Sequence, residues 1–172
     1  MRIQLVVSFL LLLSPVMAQH HHNSYADYSG REIKALSPEE IEGYLSGEGM
    51  GMALAAELNQ YPGPKHVLEF RDSLKLTPAQ LQKTRELYER MHTESVTLGK
   101  AIIRQERTLD SLFTHQAITT EILDSLVTRI GDLKGQLRAV HLRTHLLMRQ
   151  ALTERQVEQY NQLRGYGESP DY

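Results

Sequence analysis

Two histidines spaced one helical turn apart are the residues of this sequence best suited to chemistry. His141 and His145 are four positions apart, and Met148 follows three positions later. On a helix this spacing places the side chains on one face. Two imidazoles arranged in this way can chelate one metal ion, as histidine pairs on helices do in zinc sites. The alternative is a structural role, in which both rings are half-buried and hydrogen-bonded beside an apolar seam.

Two further groups of residues can extend this site. If two long helices pair as an antiparallel hairpin, His92 lies opposite His141, where it can supply a third nitrogen ligand. His66 and Glu69, three positions apart on a preceding helix, form a second candidate ligand pair. Zinc, copper, nickel and cobalt ions all accept such ligands, so the sequence does not select among them. Polar contacts without a metal would explain the same residues.

The amino-terminal histidines offer an independent site if a leader is cleaved after Ala18. The mature chain then begins Gln19-His20-His21-His22. Its free amine, two backbone amide nitrogens and the imidazole of His21 can form a square-planar chelate for copper(II) or nickel(II). Cyclisation of Gln19 would block the amine and leave His20 and His22 as weaker ligands. The alternative is a tail without a binding function.

Other chemistry is weakly indicated. Met50 and Met52 carry thioethers that suit copper(I), although a loop or core role explains them better. The sequence has no cysteine, no glycine-rich phosphate loop and no Gly-x-Ser-x-Gly elbow. Acidic and basic residues alternate on helix faces, which is typical of a solvated surface. We therefore expect no enzymatic activity.

Capping boxes mark where the helices begin. In such a box a Ser or Thr N-cap and a Glu or Gln three positions later satisfy each other's backbone amides. Ser37 and Glu40 form the first box, with Pro38 at the first helical position. The other two share a Leu-Thr-x-x-Gln string, at Leu76, Thr77 and Gln80 and again at Leu152, Thr153 and Gln156. Each cap contributes about 1 kcal/mol.

Two long helices lie between the Leu-Thr-x-x-Gln boxes. Apolar residues recur at spacings of three and four on both, ending with Leu147 on the second. The short link from Thr114 to Thr119 predicts an antiparallel pair with Gly99 near Gly135, where the backbones can approach closely. The predicted fold class is therefore all-α, a long antiparallel helical hairpin with short flanking helices.

The predicted organisation has four parts. Residues 1–18 read as a signal peptide, with Arg2, an apolar run from Leu5 to Leu13, and a small-residue cleavage pattern ending at Ala18. Residues 19–35 are predicted to be a flexible, His-rich segment. The helical domain spans 36–166, including a helix from Pro64 to about Leu74, and 167–172 form a tail. An uncleaved anchor is the alternative for the leader, but its apolar run is short for a membrane span.

Composition limits the cellular compartments and the partners that are expected for this chain. It has 172 residues, a formal charge of −2, and neither cysteine nor tryptophan. Without cysteine it has no disulfide and no lipid attachment through a cysteine thiol. The balanced charge gives no indication of a nucleic-acid partner. We expect a periplasmic protein with no membrane span after cleavage of the leader.

The two Leu-Thr-x-x-Gln boxes, separated by a long helical hairpin behind a signal peptide, resemble the signature of the Spy/CpxP family. The resemblance covers roughly residues 64–166. The segment 31–64, with Gly49-Met50-Gly51-Met52, is similar to the leader of periplasmic heavy-metal sensors and resistance proteins. The resemblance implies an all-α hairpin, usually a homodimer and often a curved cradle.

The resemblance also implies function. The expected role is an envelope-stress or heavy-metal-resistance protein that binds or senses divalent metal or copper ions. One alternative is an ATP-independent chaperone that holds unfolded clients. The net acidic charge departs from the basic cradle of that branch. The other alternative is a regulatory partner of an envelope-stress sensor kinase.

Overall fold

The computed structural model describes residues 25–166, which fold into α-helices without a β-strand. The predicted all-α class is therefore confirmed. The predicted leader 1–18, the candidate ligands His20, His21 and His22, and the tail 167–172 lie outside the described residues. After a 3-10 turn at Tyr25–Tyr28, the helices are α1 Pro38–Ser46, α2 Leu54–Glu57, α3 Pro64–Glu69, α4 Pro78–Thr114, α5 Thr120–Ala151 and α6 Glu154–Arg164.

Helices α4 and α5 form the antiparallel hairpin that the sequence predicts. They contain 37 and 32 residues and are joined by residues 115–119. The pairing is antiparallel because Glu106, late in α4, accepts a hydrogen bond from Lys134 in α5, while the earlier Ser95 contacts the later His141. In residues 25–166, no helix combines the length and the apolar character needed to cross a membrane.

The three predicted capping boxes are all present. Ser37, Thr77 and Thr153 each accept a hydrogen bond from the amide three positions on, and each donates its own backbone N–H to the side chain of that residue. These boxes fix where α1, α4 and α6 begin. Thr119 caps α5 by one bond of 3.4 Å and forms no box.

The glutamines of the two Leu-Thr-x-x-Gln boxes also contact each other. The Gln80 Nε2 donates to Gln156 Oε1 at 2.9 Å, and the Gln156 Nε2 donates to Gln80 Oε1 at 3.1 Å. Each amide also donates to a backbone carbonyl, that of Ala151 for Gln80 and that of Leu74 for Gln156. The repeated string therefore ties the starts of α4 and α6 to the end of α5.

The core has two parts, both covered by short flanking segments. The first joins α1 and the segment before it to the middle of the hairpin, through Ile33, Leu36, Tyr44, Ile102, Ile103, Leu133 and Leu137. The second joins α3 and α6 to the open end of the hairpin, through Val67, Leu74, Leu87, Met148, Leu152, Val157 and Tyr160. From residue 107 to residue 129, at the closed end, no side chain is buried.

The close approach predicted between Gly99 and Gly135 is wrong. A Cβ on Gly99 would overlap the backbone carbonyl of Tyr44, whereas a Cβ on Gly135 would meet nothing within 4 Å. Gly99 therefore allows α1 to cross α4 at very short range. Matching residues across the two long helices could not predict this contact, because α1 is not part of the hairpin.

Three further predictions need correction. Helix α3 ends at Glu69 and does not continue to Leu74. The domain boundary predicted at residue 36 lies too late, because Ile33 is fully buried in the first core. On α5, Leu147 is 42% exposed and Met148 is buried in its place. A straight helix drifts relative to a heptad repeat, so the buried stripe moves by one position over this length.

Candidate metal centre

An open cleft lies where the flanking segment crosses the hairpin. Its volume is about 580 Å³, and it is bounded by the loop between α1 and α2, the start of α3, and faces of α4 and α5. Glu57 of α2 and, at the end of α6, Arg164 and Tyr166 complete its wall. Histidine is concentrated here. Four of the five histidines in the described part of the chain line this cleft, namely His66, His92, His141 and His145, and the fifth, His115, lies at the closed end of the hairpin.

Glycines allow the flanking segment to reach the hairpin at this level. Gly47 ends α1 in the left-handed conformation, with φ 67°. A Cβ on Gly47 would lie 3.0 Å from the Val96 side chain and 3.3 Å from the backbone oxygen of His92, so the loop passes close to α4. Gly63 and Pro64 then start α3, which brings His66 to the cleft.

His145 is held through one ring nitrogen. It is 7% exposed, and its Nδ1 lies 2.7 Å from the backbone oxygen of Tyr61. A carbonyl accepts hydrogen bonds but does not donate them, so we infer that Nδ1 carries a hydrogen and that Nε2 is the nitrogen that presents a lone pair in the neutral ring. The Nε2 edge faces Gly63, where a Cβ would lie 3.0 Å from Nε2. The missing side chain at Gly63 therefore lets the turn before α3 pass close to that edge of the ring.

His141 is more deeply buried than the sequence predicted. It is 2% exposed, and its Nε2 lies 3.2 Å from the Ser95 hydroxyl oxygen. Burial lowers the pKa of His141, and the neighbouring His145 lowers it further. Both effects favour the neutral imidazole, which is the form that binds metal ions. The residue facing His141 in the hairpin is thus Ser95, one turn of α4 beyond the predicted His92.

A buried carboxylate, Glu57 of α2, lies beside His145. The Glu57 Oε1 accepts hydrogen bonds from the Tyr160 hydroxyl at 2.5 Å, the Tyr166 hydroxyl at 3.1 Å and the Arg164 Nε at 3.2 Å. Its Oε2 lies 3.5 Å from Nδ1 of His145. Burial raises the pKa of Tyr160, and the hydrogen bond to Glu57 raises it further, so the hydroxyl stays protonated and donates.

Sequence reasoning missed Glu57 and its partners. The available signal was a lone carboxylate in the otherwise apolar stretch Met52–Leu58, which is broken by no other charge. A charge at such a position is expected to find a buried partner. Its partners Tyr160, Arg164 and Tyr166 lie more than one hundred residues away along the chain. No local pattern connects them to α2.

The remaining predicted ligands are near the cleft but point to other partners. The His66 Nδ1 lies 2.7 Å from the Glu69 carboxylate, so the predicted pair does form, on the exposed side of α3. His92 is half-buried and packs against Tyr88, with ring centroids 6.0 Å apart. Met50 and Met91 also contribute thioethers to the cleft wall.

The donor set suits a borderline metal ion, although the ligands are not assembled around one point. Within residues 25–166, no three His, Asp or Glu side chains converge as a metal-binding group. Two imidazoles on adjacent turns of α5 provide the framework, and Nε2 of His145 is the nitrogen that is not bonded to the Tyr61 carbonyl. Completing the coordination from the protein requires rotation of a third side chain, for which His92 and His66 are in place along the wall.

Comparisons with protein-family models, curated protein sequences and solved structures give no match to this chain. The interpretation of the cleft therefore depends on its own geometry and on the two sequence boxes.

Proposed function

We propose that this chain is a periplasmic, Spy/CpxP-like envelope-stress or heavy-metal-resistance protein that binds a transition-metal ion in the cleft. The observation that carries the proposal is the concentration of His66, His92, His141 and His145 around one cleft. The single remaining histidine of the described chain lies elsewhere.

The second support is the way His145 is held. Metal-binding histidines commonly donate their other ring N–H to a carbonyl or carboxylate, which fixes the tautomer and the ring orientation. His145 has such an arrangement, with the Tyr61 carbonyl at 2.7 Å and the Glu57 carboxylate at 3.5 Å from Nδ1. His141 supplies the second imidazole after releasing Ser95. Imidazole ligands suit zinc, copper, nickel and cobalt ions.

A calorimetric titration of the mature protein, beginning at Gln19, tests the proposal with zinc(II), copper(II) and nickel(II). We expect one of these ions to bind with a submicromolar Kd, and the His141→Ala/His145→Ala variant to lose that binding. The His115→Ala variant is the matched control, because His115 lies outside the cleft, and it should bind as the wild type does. Absence of binding by every ion would contradict the proposal.

The amino-terminal histidines need a separate variant. Binding that survives in His141→Ala/His145→Ala but disappears when His20, His21 and His22 are all changed to Ala would assign the ion to the amino terminus. The cleft proposal would then be wrong, while metal binding by the protein would stand. Circular dichroism of each variant establishes that the helical fold is retained.

A client-holding chaperone is the second candidate, and exposed apolar residues beside the cleft favour it. Met50, Leu54, Leu58 and Tyr61 are 38%, 55%, 53% and 37% exposed. Apolar side chains grouped on a surface are typical of a protein-binding site. The test is suppression of aggregation of an unfolding client without ATP or metal. Leu54→Ser/Leu58→Ser should weaken such activity, and His141→Ala/His145→Ala should leave it unchanged.

A further inference from the structure

We propose that Glu57 couples the cleft to the carboxy-terminal helix α6, so that a metal ion on His145 holds α6 more firmly on the hairpin. This inference rests on the proposed metal site. Its structural basis is that one buried carboxylate contacts both regions. The Glu57 Oε2 is next to His145, and its Oε1 accepts all its hydrogen bonds from Tyr160, Arg164 and Tyr166.

The attachment of α6 is concentrated in a few side chains. Val157 and Tyr160 are buried in the second core, and Gln156 bonds to Gln80. Gln159 donates to the Ser73 carbonyl and Glu154 pairs with Arg149 nearer the start of the helix. The Glu57 cluster is the attachment towards the end of this 11-residue helix. The segment after Tyr160 is therefore the part of α6 whose position depends most on Glu57.

The charge balance around Glu57 explains how the two regions can be coupled. Glu57 is 7% exposed, and Arg164, 27% exposed at its side chain, is its one cationic hydrogen-bond partner among the described residues. The other partners are neutral tyrosines and the ring of His145. A buried carboxylate with limited compensation stabilises its surroundings weakly, because desolvation offsets much of the attraction. Additional positive charge nearby would favour the closed cluster over one that opens to water.

His145 and Glu57 both line the cleft and lie side by side, which is the arrangement that this coupling needs. Its Nε2 edge faces Gly63 at the cleft wall, and its Nδ1 is 3.5 Å from Glu57 Oε2. With a cation on Nε2, the ring carries positive charge 3.5 Å from Glu57 Oε2, while its Nδ1–H donates to the Tyr61 carbonyl. The ionised Glu57 is then better compensated, and local opening of α6 becomes less frequent. Linkage requires the reverse effect as well, so an attached α6 raises the affinity of the cleft for the ion.

Hydrogen exchange measured by mass spectrometry over residues 154–166 tests this coupling. The full mature protein is compared with and without whichever of zinc(II), copper(II) and nickel(II) binds most tightly in the titration. We expect binding to slow exchange in this segment by about five-fold or more, which is the lower end of typical coupling between sites. In Glu57→Gln, which keeps the shape but removes the charge, the slowing should disappear while the ion still binds, with a several-fold weaker Kd.

Glu154→Gln is the matched control. It removes an exposed carboxylate that pairs with Arg149 at the start of α6 and does not contact Glu57. This variant should show the same metal-dependent slowing as the wild type. If Glu57→Gln does not fold, Tyr166→Phe replaces it. That change deletes one hydroxyl donor to Glu57 near the chain end and should reduce the slowing.

Two results would overturn the coupling while leaving metal binding intact. One is unchanged or faster exchange of residues 154–166 in the metal-bound wild type. The other is slowing of the same size in Glu57→Gln. A titration without any binding is a distinct result, which contradicts the metal site itself and the coupling with it.

Discussion

The two ends of the α4–α5 hairpin are built from the same pair of helices but differ in what covers them. At the base, formed by residues 78–106 and 130–151, the short helices α1, α2, α3 and α6 pack against the pair. At the distal tip, residues 107–129, no side chain is buried. Two helices alone bury little apolar surface. The flanking segment that supplies the missing core at the base also creates the cleft.

The difference extends to the kind of residue that each end exposes. At the distal tip Phe113, Ile122 and Val127 are 53%, 39% and 50% exposed. Two ion pairs join the start of the distal tip to the segment before α1. They are Arg107 with Glu32 and Asp110 with Lys34. Such pairs contribute about 0–1 kcal/mol each. At the base, by contrast, the polar residues His141, His145 and Glu57 are themselves buried. A ligand that binds next to buried polar groups can change their interaction free energies, because water does not screen them.

The largest expected difference between the two ends is in the response to core truncation. Leu137 is 1% exposed at the base, whereas Leu126 is only partly buried at the distal tip. Leu137→Ala should lower the free energy of unfolding by about 2–5 kcal/mol, because it leaves a cavity. Leu126→Ala should cost well under half as much. Chemical denaturation of both variants measures this, and equal losses would show that the distal tip contributes as much stability as the base.

Glycine substitutions test whether a residue of α4 is more closely packed than a residue of α5. Gly99→Ala should lower the free energy of unfolding by about 1–3 kcal/mol or more, because its Cβ would displace the Tyr44 carbonyl of α1. Gly135→Ala faces open space and should raise it by up to about 1 kcal/mol through improved helix propensity. Thermal unfolding of the two variants should therefore shift in opposite directions. A stabilising Gly99→Ala would contradict the close crossing of α1 and α4.

Local sequence signals predicted the features of this fold that depend on neighbours in the chain. Thr77, Thr153 and Ser37 were identified as caps because a capping box is complete within four residues. The antiparallel hairpin followed from two long periodic segments and a short link. The spacing of His141 and His145 placed them correctly on one face of α5, because that depends on helix geometry alone.

The wrong prediction and the missed contacts all depend on segments that are distant in the sequence. The partner of Gly99 is Tyr44, and no property of the hairpin reveals where α1 crosses it. The backbone oxygen of Tyr61, which holds His145, belongs to an irregular turn without periodicity. Similarly, Glu57 acquires its role from residues that follow it by more than one hundred positions. The type of residue at the site was predictable, whereas the way each side chain is held was not.

The glutamine pair offers a third, smaller test. Gln80→Ala removes the return bond of one capping box and both bonds between the Gln80 and Gln156 amides, while Gln156 keeps its bond to the Leu74 carbonyl. We expect a loss of about 1–2 kcal/mol in the free energy of unfolding. Thr119→Ala at the distal tip removes one 3.4 Å bond and no box, so its cost should be smaller. In a double-mutant cycle, Gln80→Ala and Gln156→Ala should be clearly non-additive, and additive losses would argue against the observed amide pair.

The base of the hairpin should also produce a small pH dependence of the free energy of unfolding, to which the distal tip should not contribute. Burial, followed by the nearby His145, lowers the pKa of His141 below its ordinary 6.5 in the folded protein, whereas the unfolded chain takes up the proton near 6.5. The unfolded state therefore binds more protons in this range, so the stability is complete above about pH 6.5 and falls as the pH drops towards the folded pKa. Urea unfolding in the presence of a chelator, between pH 7.5 and about 5, measures this dependence. His141→Gln should flatten the profile, while His115→Gln at the closed end should leave it as in the wild type. An unchanged profile in His141→Gln would show that the buried imidazole is not the group that titrates.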